Sequence, residues 1–588
     1  MVNVSSAVGS LSVNVTVPFV YPQNNILLVY FDDMGVEQCG KYDAVFGSAG
    51  YAATEAELLT RGIYANMPNL DAFHATSVQF IQAHSQPVCS PTRAGFYSGR
   101  YGFRTGTGSL ITTDRLTGGV GNKCHTFGLD VATPTSGNYV NRREYTLAEV
   151  ARNAGYKSGF FGKWHLGLWK LDASTDSKNT DESGTLPNGT AYTATGWDHL
   201  DAVGKWDHWW SIFRNPSSKP QPYSGNNPYG SYGVANGAGQ NGGYYARTKG
   251  DTATTLYNGS ANYLEKLKIQ KAIAWMNDPA NHPFVCVVAF NLPHAPFHDT
   301  TLAGYTVRSV YTSLMADPDT DIRAWAYYGS MREAADVEFG NLMNGITASI
   351  KAKTDIFVTA DNGTEQGINQ GAYDQTDGKG TPTMGEFVNL LQGRAKGTIY
   401  NMGSWVPLWV SGPSVKGTIP RTSSLPVDVH VDLFESFRHL MHVNYTGVAG
   451  NQTKDGASIV PALGNALHGI DSHTKKHCHV EYFKPNGDPD DVEDQGLATT
   501  DFRDERAYIR YIRTVDGYSG TAAGLYKFIR ALDPATGIRT DSFYRIATSA
   551  GSPSGSDWDE QTNIIADGTY AGQLAIVKAA AEALWAQA

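Results

Sequence analysis

The sequence predicts an α/β protein: a large mixed, mainly parallel sheet sandwiched by helices, followed by a smaller antiparallel-sheet subdomain. Three observations predict it. Short, continuously apolar runs such as Ile26 to Phe31 alternate with stretches of helical period, the pattern of a parallel sheet buried on both faces. That alternation lasts to about residue 465, after which short strand-like runs and one amphipathic helix take over. At 588 residues, 41% hydrophobic and 17% charged, the chain is neither disordered nor a coiled coil and can bury a large core.

Taken in order, residues 1–23 alternate Val with Ser and Asn and read as an edge strand or a loose extension; they lack the basic and apolar regions of an intact secretory signal. The run Ile26 to Phe31 is a buried strand ending at Asp32-Asp33. Pro68 to Ser77 reads as a helix with proline in its first turn and Leu70 and Phe73 on one face. Thr146 to Ala154 is a second, opened by Thr146 and Glu149 in capping-box spacing and stopped at Gly155. Further strands are expected at Ser158–Phe161, Phe284–Phe290, Asp355–Thr359 and Val406–Val410, with helices at Asn262–Met276, Ala324–Ile350 and Val431–His442. Residues 172–260 form a long insertion of Gly, Asn, Ser, Tyr and Trp, too polar for core, and 361–404 are a second, Gly/Thr-rich excursion. The main α/β domain is therefore expected over 24–465. The subdomain, 466–588, carries strands at His479–Phe483, Ala507–Thr514 and Gly524–Arg530 and a helix over Ala571–Leu584.

Charge narrows the function. Lys and Arg total 46 against 56 Asp and Glu, a net charge of −10, which argues against a nonspecific binder of nucleic acid or anionic membrane. No run reaches the eighteen apolar residues of a membrane span. A small anion held by a few focused cations stays open. Five cysteines without a CxxC pair argue against a zinc ribbon or a thioredoxin-like site. His473, His477, Cys478 and His479 fit no zinc spacing and read as coincidence.

Chemistry in such sheets collects at the carboxyl ends of strands. Asp32-Asp33 and Asp361-Asn362-Gly363 each follow one. Adjacent carboxylates at a buried strand end are costly unless a cation neutralises them, and three carboxylates with an amide oxygen suit calcium or magnesium. A third site is Cys89-Ser90-Pro91-Thr92-Arg93, with Gly99 six residues after the arginine. A fourth, Gly162-Lys163-Trp164-His165-Leu166-Gly167, places Lys163 and His165 on one face of an extended segment.

The third and fourth motifs resemble the signatures of the type I sulfatases of the alkaline phosphatase superfamily. Pro293-His294-Ala295-Pro296-Phe297 and Lys396-Gly397-Thr398 are similar to two more family elements; Lys379 competes for the lysine with a poorer downstream context. The resemblance covers most of the chain outside the extension and the insertion. It implies an alkaline-phosphatase-like fold. It also implies that a maturation enzyme oxidises Cys89 to formylglycine, whose hydrate is the nucleophile; this accounts for the odd cysteine. Asp32, Asp33, Asp361, Asn362 and position 89 would bind calcium, with magnesium as the other option. Arg93, Lys163 and Lys396 would stabilise charge, His294 with Lys396 would protonate the leaving alcohol, and His165 would take the proton that lets sulfate depart. The sequence departs from the family at Asn401 and Met402, where many members carry Glu and Gly.

Sulfate release from a sulfated poly- or oligosaccharide is the expected activity. Aryl or alkyl sulfates, a phosphonate monoester or phosphodiester, and a noncatalytic carbohydrate-binding role are the alternatives. Trp206 and Trp209, with Trp197 and Trp210, offer faces for sugar rings or pack the insertion onto the body. His298 either reaches a sugar or stands idle. Many bacterial relatives that attack polysaccharides are exported, so export is expected, although no export signal is visible.

Overall fold

The computed structural model describes residues 2–8, 11–17, 23–42, 65–111, 130–131, 139–140, 144–167, 184–185, 191–192, 200, 204–212, 243–249, 255–258, 262–317, 320–365, 368, 395–443, 452–464, 477–484, 503–512, 524–532, 538–548, 560 and 562–587. Residues Val2–Val8 and Leu11–Val17 pair as an antiparallel hairpin. The strands that follow are β1 (Asn25–Phe31), β2 (Val78–His84), β3 (Lys157–Lys163), β4 (His208–Ile212), β5 (Gly243–Thr248), β6 (Thr255–Asn258), β7 (Phe284–Ala289), β8 (Thr354–Ala360), β9 (Leu408–Ser411) and β10 (Arg421–Asp428). They form one ten-stranded sheet in the order β6-β5-β4-β3-β7-β1-β8-β9-β2-β10. β4, β3, β7, β1 and β8 run parallel, β9 is antiparallel to both its neighbours, and β10 is again parallel to β2.

The helices that position the site are α1 (Pro68–His74), α2 (Cys89–Ser98), α3 (Leu147–Asn153), α4 (Leu264–Asn277), α5 (Thr320–Gly345) and α6 (Val429–Leu440). Side chains alternate across each strand, so neighbours in sequence reach opposite layers. The Tyr30 ring lies 5.2 Å from Phe96 of α2, whereas Phe31 lies 6.4 Å from Phe339 of α5. Phe160 and Phe161 divide in the same way between Tyr97 of α2 and Trp275 of α4. Every residue of β1, β2, β7 and β8 is buried, and each large apolar side chain among them contributes about 1.5–3 kcal/mol over its exposed state. α2 and α6 pack so closely that a Cβ on Gly99 would lie 2.5 Å from Phe434. Gly99 also ends α2 in the left-handed region, φ 67°.

After the main sheet, β11 (His477–Lys484), β12 (Arg503–Ile512), β13 (Gly524–Leu532) and β14 (Arg539–Thr548) form an antiparallel meander. α7 (Ala571–Trp585) covers one face over Tyr508, Tyr526, Phe528 and Phe543. The other face packs Cys478, Val480, Ile509 and Leu525 around Ile399 of the main body.

Several expectations shift. β2 carries Gln79, Gln82 and His84, which hide an apolar run although all are buried; Gln79 Nε2 donates to Lys41 O at 2.8 Å. β10 and β14 likewise lack a clean apolar pattern. The helix expected over Ala324–Ile350 ends at Gly345, because Thr347 turns extended (ψ 145°) before a separate turn at Ala348–Lys351. The capping box of Thr146 and Glu149 is formed. The insertion is not all outside the core, since its residues 208–212 are β4, paired directly to β3.

Glycine at the β3–β7 contact is a steric requirement. Gly162 has φ 121°, and a Cβ there would stand 2.0 Å from Ala289 O, whereas Gly155, φ 80°, has nothing within 4 Å. Gly155→Ala should cost only the left-handed strain, about 1 kcal/mol, and Gly162→Ala at least about 3 kcal/mol. Urea unfolding of the two variants checks this; equal losses would mean that the close approach to β7 does not matter.

Candidate active site

β3, β7, β1 and β8 are consecutive in the sheet and parallel, so the residues after them gather at one edge. β1 delivers Asp32 and Asp33, β8 delivers Asp361 and Asn362, β3 ends on Lys163 with His165 beyond, and β7 leads to His294. Asp33 and His165 both adopt left-handed backbone, φ 66° and 57°, uncommon for residues with side chains and concentrated at functional sites. α2 begins at Cys89 and carries Arg93 one turn on.

Asp32 is the hub. Its carboxylate accepts from Lys163 Nζ at 2.6 Å, from Arg93 Nη2 at 3.3 Å and from Cys89 Sγ at 3.4 Å. Lys163 Nζ also lies 3.3 Å from Cys89 Sγ. Arg93 makes its shortest ion pair with Asp361, 2.6 Å, donates to Tyr30 Oη at 3.1 Å and reaches the Lys163 carbonyl. Lys396 Nζ sits 2.7 Å from Asp33 Oδ2 and 3.2 Å from Glu365, and His294 Nε2 lies 3.6 Å from the same Asp33 oxygen. Asn362 Nδ2 donates to Asp33 Oδ1 at 2.7 Å.

Burial opposes ionisation of Asp32, but the cations Lys163, Arg93 and Lys396 overcome it and hold the carboxyl well below the usual range. Asp33 goes the other way: burial, with Asp32, Glu365 and Asp361 adding, pushes it well above, against Lys396. Asp361 is raised by burial and by Asp32. The Cys89 thiol is pushed well up by burial and by Asp32 and Asp361. Both histidines are held well below their ordinary value, first by burial and then by Lys396 and Lys163 at His294 and by Lys163 and Arg93 at His165. Both rings are thus neutral at neutral pH. The His294 Nδ1 contact with Ala295 O at 2.6 Å needs a proton on Nδ1, because a carbonyl only accepts, and this leaves Nε2 a lone pair.

The donor set fits a hard divalent cation. Ligand atoms of Asp32, Asp33, Cys89 and His294 lie within 4.8 Å of one another, and the two carboxylates are the hard donors among them. Asn362 Oδ1 is buried without a hydrogen-bond partner, which is costly unless a cation uses it. Carboxyls pushed upward by burial and by one another mark a site short of positive charge, and an added cation relieves that.

The structure therefore brings together Asp32, Asp33, Cys89, Arg93, Lys163, His294, Asp361, Asn362 and Lys396; His165 joins them through the field it shares with Lys163 and Arg93, and its carbonyl accepts from Ser90 Oγ at 2.8 Å. It does not bring Trp206 and Trp209 to a sugar. They are 1% and 0% exposed, and Trp206 packs 5.4 Å from Phe160 and 5.7 Å from Tyr97. Trp210 is equally buried, and Trp197, Lys379, His473 and Cys124 lie outside the described residues. His298 is 6% exposed and bonds Tyr263 Oη at 3.0 Å and Pro296 O at 2.9 Å, so it is a structural group. Cys39, Cys286 and Cys478 are buried.

Sequence reasoning missed Glu365, although it stands only four residues after Asp361, because a single Glu in a polar excursion carries no pattern. The departure at Asn401 also finds its reason. Lys527 of β13 pairs with Glu560 at 2.7 Å and donates to Asn401 Oδ1 at 3.2 Å and Ile399 O at 2.7 Å, and Glu560 accepts from Asn401 N at 2.7 Å. A carboxylate is present at this point, supplied from the far end of the chain.

The family model described as Sulfatase matches residues 24–443. Arylsulfatase G of Mus musculus is 33% identical over 147 residues, 25% of this chain and 21% of its own, so the alignment spans about a fifth of that relative. A sulfatase of Formosa agariphila is 22% identical over 476 residues, 75% of this chain and 72% of its own. Among solved structures, Ps i-CgsB in complex with k-i-k-neocarrahexaose has TM-score 0.51 and 17% identity, covering 89% of this chain and 86% of its own. BT4656 in complex with its substrate D-glucosamine-2-N,6-O-disulfate has TM-score 0.54 and 15% identity, covering 96% and 98%. At these identities the solved structures establish the fold.

If the donor set binds calcium, chelator-treated protein should gain melting temperature on Ca2+ addition, and the gain should vanish in Asn362→Leu. Because the ion competes with a proton on Asp33, whose carboxyl is raised, affinity should fall as pH is lowered. Calorimetric titration at two pH values reads this directly, and a pH-independent affinity would contradict it.

Proposed function

The chain belongs to the sulfatase family, and from that premise we propose that it hydrolyses sulfate esters of carbohydrates, with position 89 as nucleophile after oxidation of Cys89 to formylglycine by a maturation enzyme. Cys89 is the observation that carries the reading. It is wholly buried in the first turn of α2, 3.3 Å from Lys163 Nζ, yet its thiol is held protonated by burial and by Asp32 and Asp361. A protonated thiol is a poor nucleophile. Position 89 is placed for attack but needs another chemistry, and a hydrated aldehyde supplies one hydroxyl to attack sulfur and a second through which sulfate is expelled.

A calcium ion held by Asp32, Asp33, Asp361 and Asn362 would supply Lewis acidity towards the sulfate oxygens. The chain's own groups do the rest. Lys163, beside position 89, neutralises charge that builds on the sulfuryl group. Arg93 spans Asp32 and Asp361 and fixes both. His165, neutral and with a buried Nδ1 lacking a hydrogen-bond partner, is in the form that accepts a proton. Lys396 and His294 converge on Asp33 Oδ2 and stand ready to protonate the departing oxygen. The negative charge of a bound ester raises the proton affinity of His294, which is neutral without it.

Two proton donors favour a sugar over an aryl ester, because a sugar alkoxide is a poor leaving group and a nitrophenolate leaves unaided. The neighbours solved with a carrahexaose and with a sulfated glucosamine support the same choice.

Free sulfate released from sulfated galactans, fucans and glycosaminoglycan oligosaccharides, after co-expression with a formylglycine-generating enzyme, tests the proposal; Cys89→Ala should release none. With the aldehyde verified by mass spectrometry, no release by wild type, alongside turnover of a phosphodiester, would sink it. His294→Ala and Lys396→Ala should each lower kcat on sugar sulfates about 100-fold or more, and far less on 4-nitrophenyl sulfate.

A further inference from the structure

Behind the site lies an ion pair that the reaction does not use. Glu265 and Lys268, one turn apart on α4, are both 0% exposed. Lys268 Nζ donates to Glu265 at 2.7 and 2.9 Å and to Asn291 Oδ1 at 2.9 Å, and Glu265 Oε1 accepts from Asn291 N at 2.8 Å. Asn291 is the first residue of the turn that presents His294, whose N–H donates to Asn291 O at 2.9 Å. The next carbonyl, Leu292 O, accepts from Asp32 N at 3.2 Å. The other end of the same segment is held from the same helix start. Tyr263, which caps α4, donates its hydroxyl to His298 Nε2 at 3.0 Å, because His298 Nδ1 is committed to Pro296 O.

We propose that Glu265 and Lys268, with Tyr263, are positioning residues that clamp segment 291–298 at both ends and so fix His294 Nε2 over the leaving oxygen. The proposal rests on the reading of His294 as a proton donor. A buried ion pair is a poor source of stability, since desolvating both charges costs about what their attraction returns, and apolar pairs of similar volume often do as well or better. What such a pair gives that leucine and methionine do not is direction. Both charges are spent on the two ends of one residue, the main-chain N–H and the side-chain carbonyl of Asn291. That orientation is inherited by His294 through the turn bond. A displacement of about 1 Å at a reacting group costs on the order of 100-fold in rate, so a loosened clamp reads out in turnover before it reads out in folding.

The test is the full chain, carrying formylglycine, with Glu265→Leu/Lys268→Met as the apolar replacement and Tyr263→Phe as a milder second variant. The urea midpoint of the double variant should stay close to wild type, while kcat on a sulfated oligosaccharide falls about 30- to 100-fold with KM within about threefold. On 4-nitrophenyl sulfate, whose leaving group needs no acid, kcat should change by less than about threefold. Tyr263→Phe should show the same pattern at about a tenth of the size. Amide exchange should rise at 291–298 in both variants and nowhere else. Equal losses on both esters, or unchanged exchange at 291–298, would overturn the clamp. His294→Ala run alongside separates the two failures: no leaving-group dependence there removes the acid assignment and the clamp with it. Dependence there without any in the two variants removes the clamp alone.

Discussion

Asp32, Asp33 and Asp361 stand at the ends of adjacent parallel strands with no exposure, and the rest of the site follows from the need to compensate their charge. Burying an unpaired carboxylate costs several kcal/mol, so each is met by a basic side chain from a different element. Arg93 comes from α2, Lys163 from the end of β3, and Lys396 from the segment before β9. These partners are separated by long stretches of sequence, and their convergence ties the sheet, its covering helix and a distant loop together. Arg93 serves this best because its fork has five donors: it reaches Asp32, Asp361, Tyr30 Oη and the Lys163 carbonyl at once. Replacement by lysine would leave most of those acceptors unmet.

The cationic groups divide into two kinds. Arg93 and Lys396 are cations at rest and set the field, Lys396 against its burial through Asp33, Cys89 and Glu365 and with a proton to give the leaving oxygen. His165 and His294 are held neutral by burial and by those same cations, and a proton can move on or off them. The field that attracts an anion is thus also what keeps the histidines in the form that catalysis needs at its start. Glu365 stands at the outer edge of this arrangement, its side chain 34% exposed against 9% for Lys396 and 0% for Asp33, so the site grades from buried to exposed along one chain of contacts.

Much of this was legible in the sequence because it is carried locally. β1, β7 and β8 are apolar on both faces, and their polar successors stand out by contrast. Cys89 to Gly99 is a single helix whose glycine meets two needs, a left-handed end and the approach of Phe434, so its spacing is rigid and recognisable. What stayed hidden depends on tertiary partners. β2 is buried although it carries three polar side chains, of which Gln79 is met by Lys41 O and His74 from other elements. Trp206 and Trp209 sit among glycines and polar residues in sequence yet pack into the core, because 208–212 pairs with β3. Glu265 and Lys268 look like an ordinary exposed helix pair, and only the turn after β7 gives them another meaning. Lys396 was distinguishable from Lys379 by the strand that follows, and it lies on Asp33.

The contact between Lys527, Glu560 and Asn401 bears on how the protein comes into being. Every charged group of the site has been synthesised by the time residue 396 leaves the ribosome, and the main sheet needs nothing beyond β10. The loop that carries Lys396 nevertheless rests on Ile399 and Asn401, which are held by β13 and by Glu560, residues made well over a hundred positions later. Domains generally fold as units, N-terminal first, during synthesis. A nascent chain can therefore assemble most of its charged cup while one wall still lacks its backing, which comes only with the late-made meander.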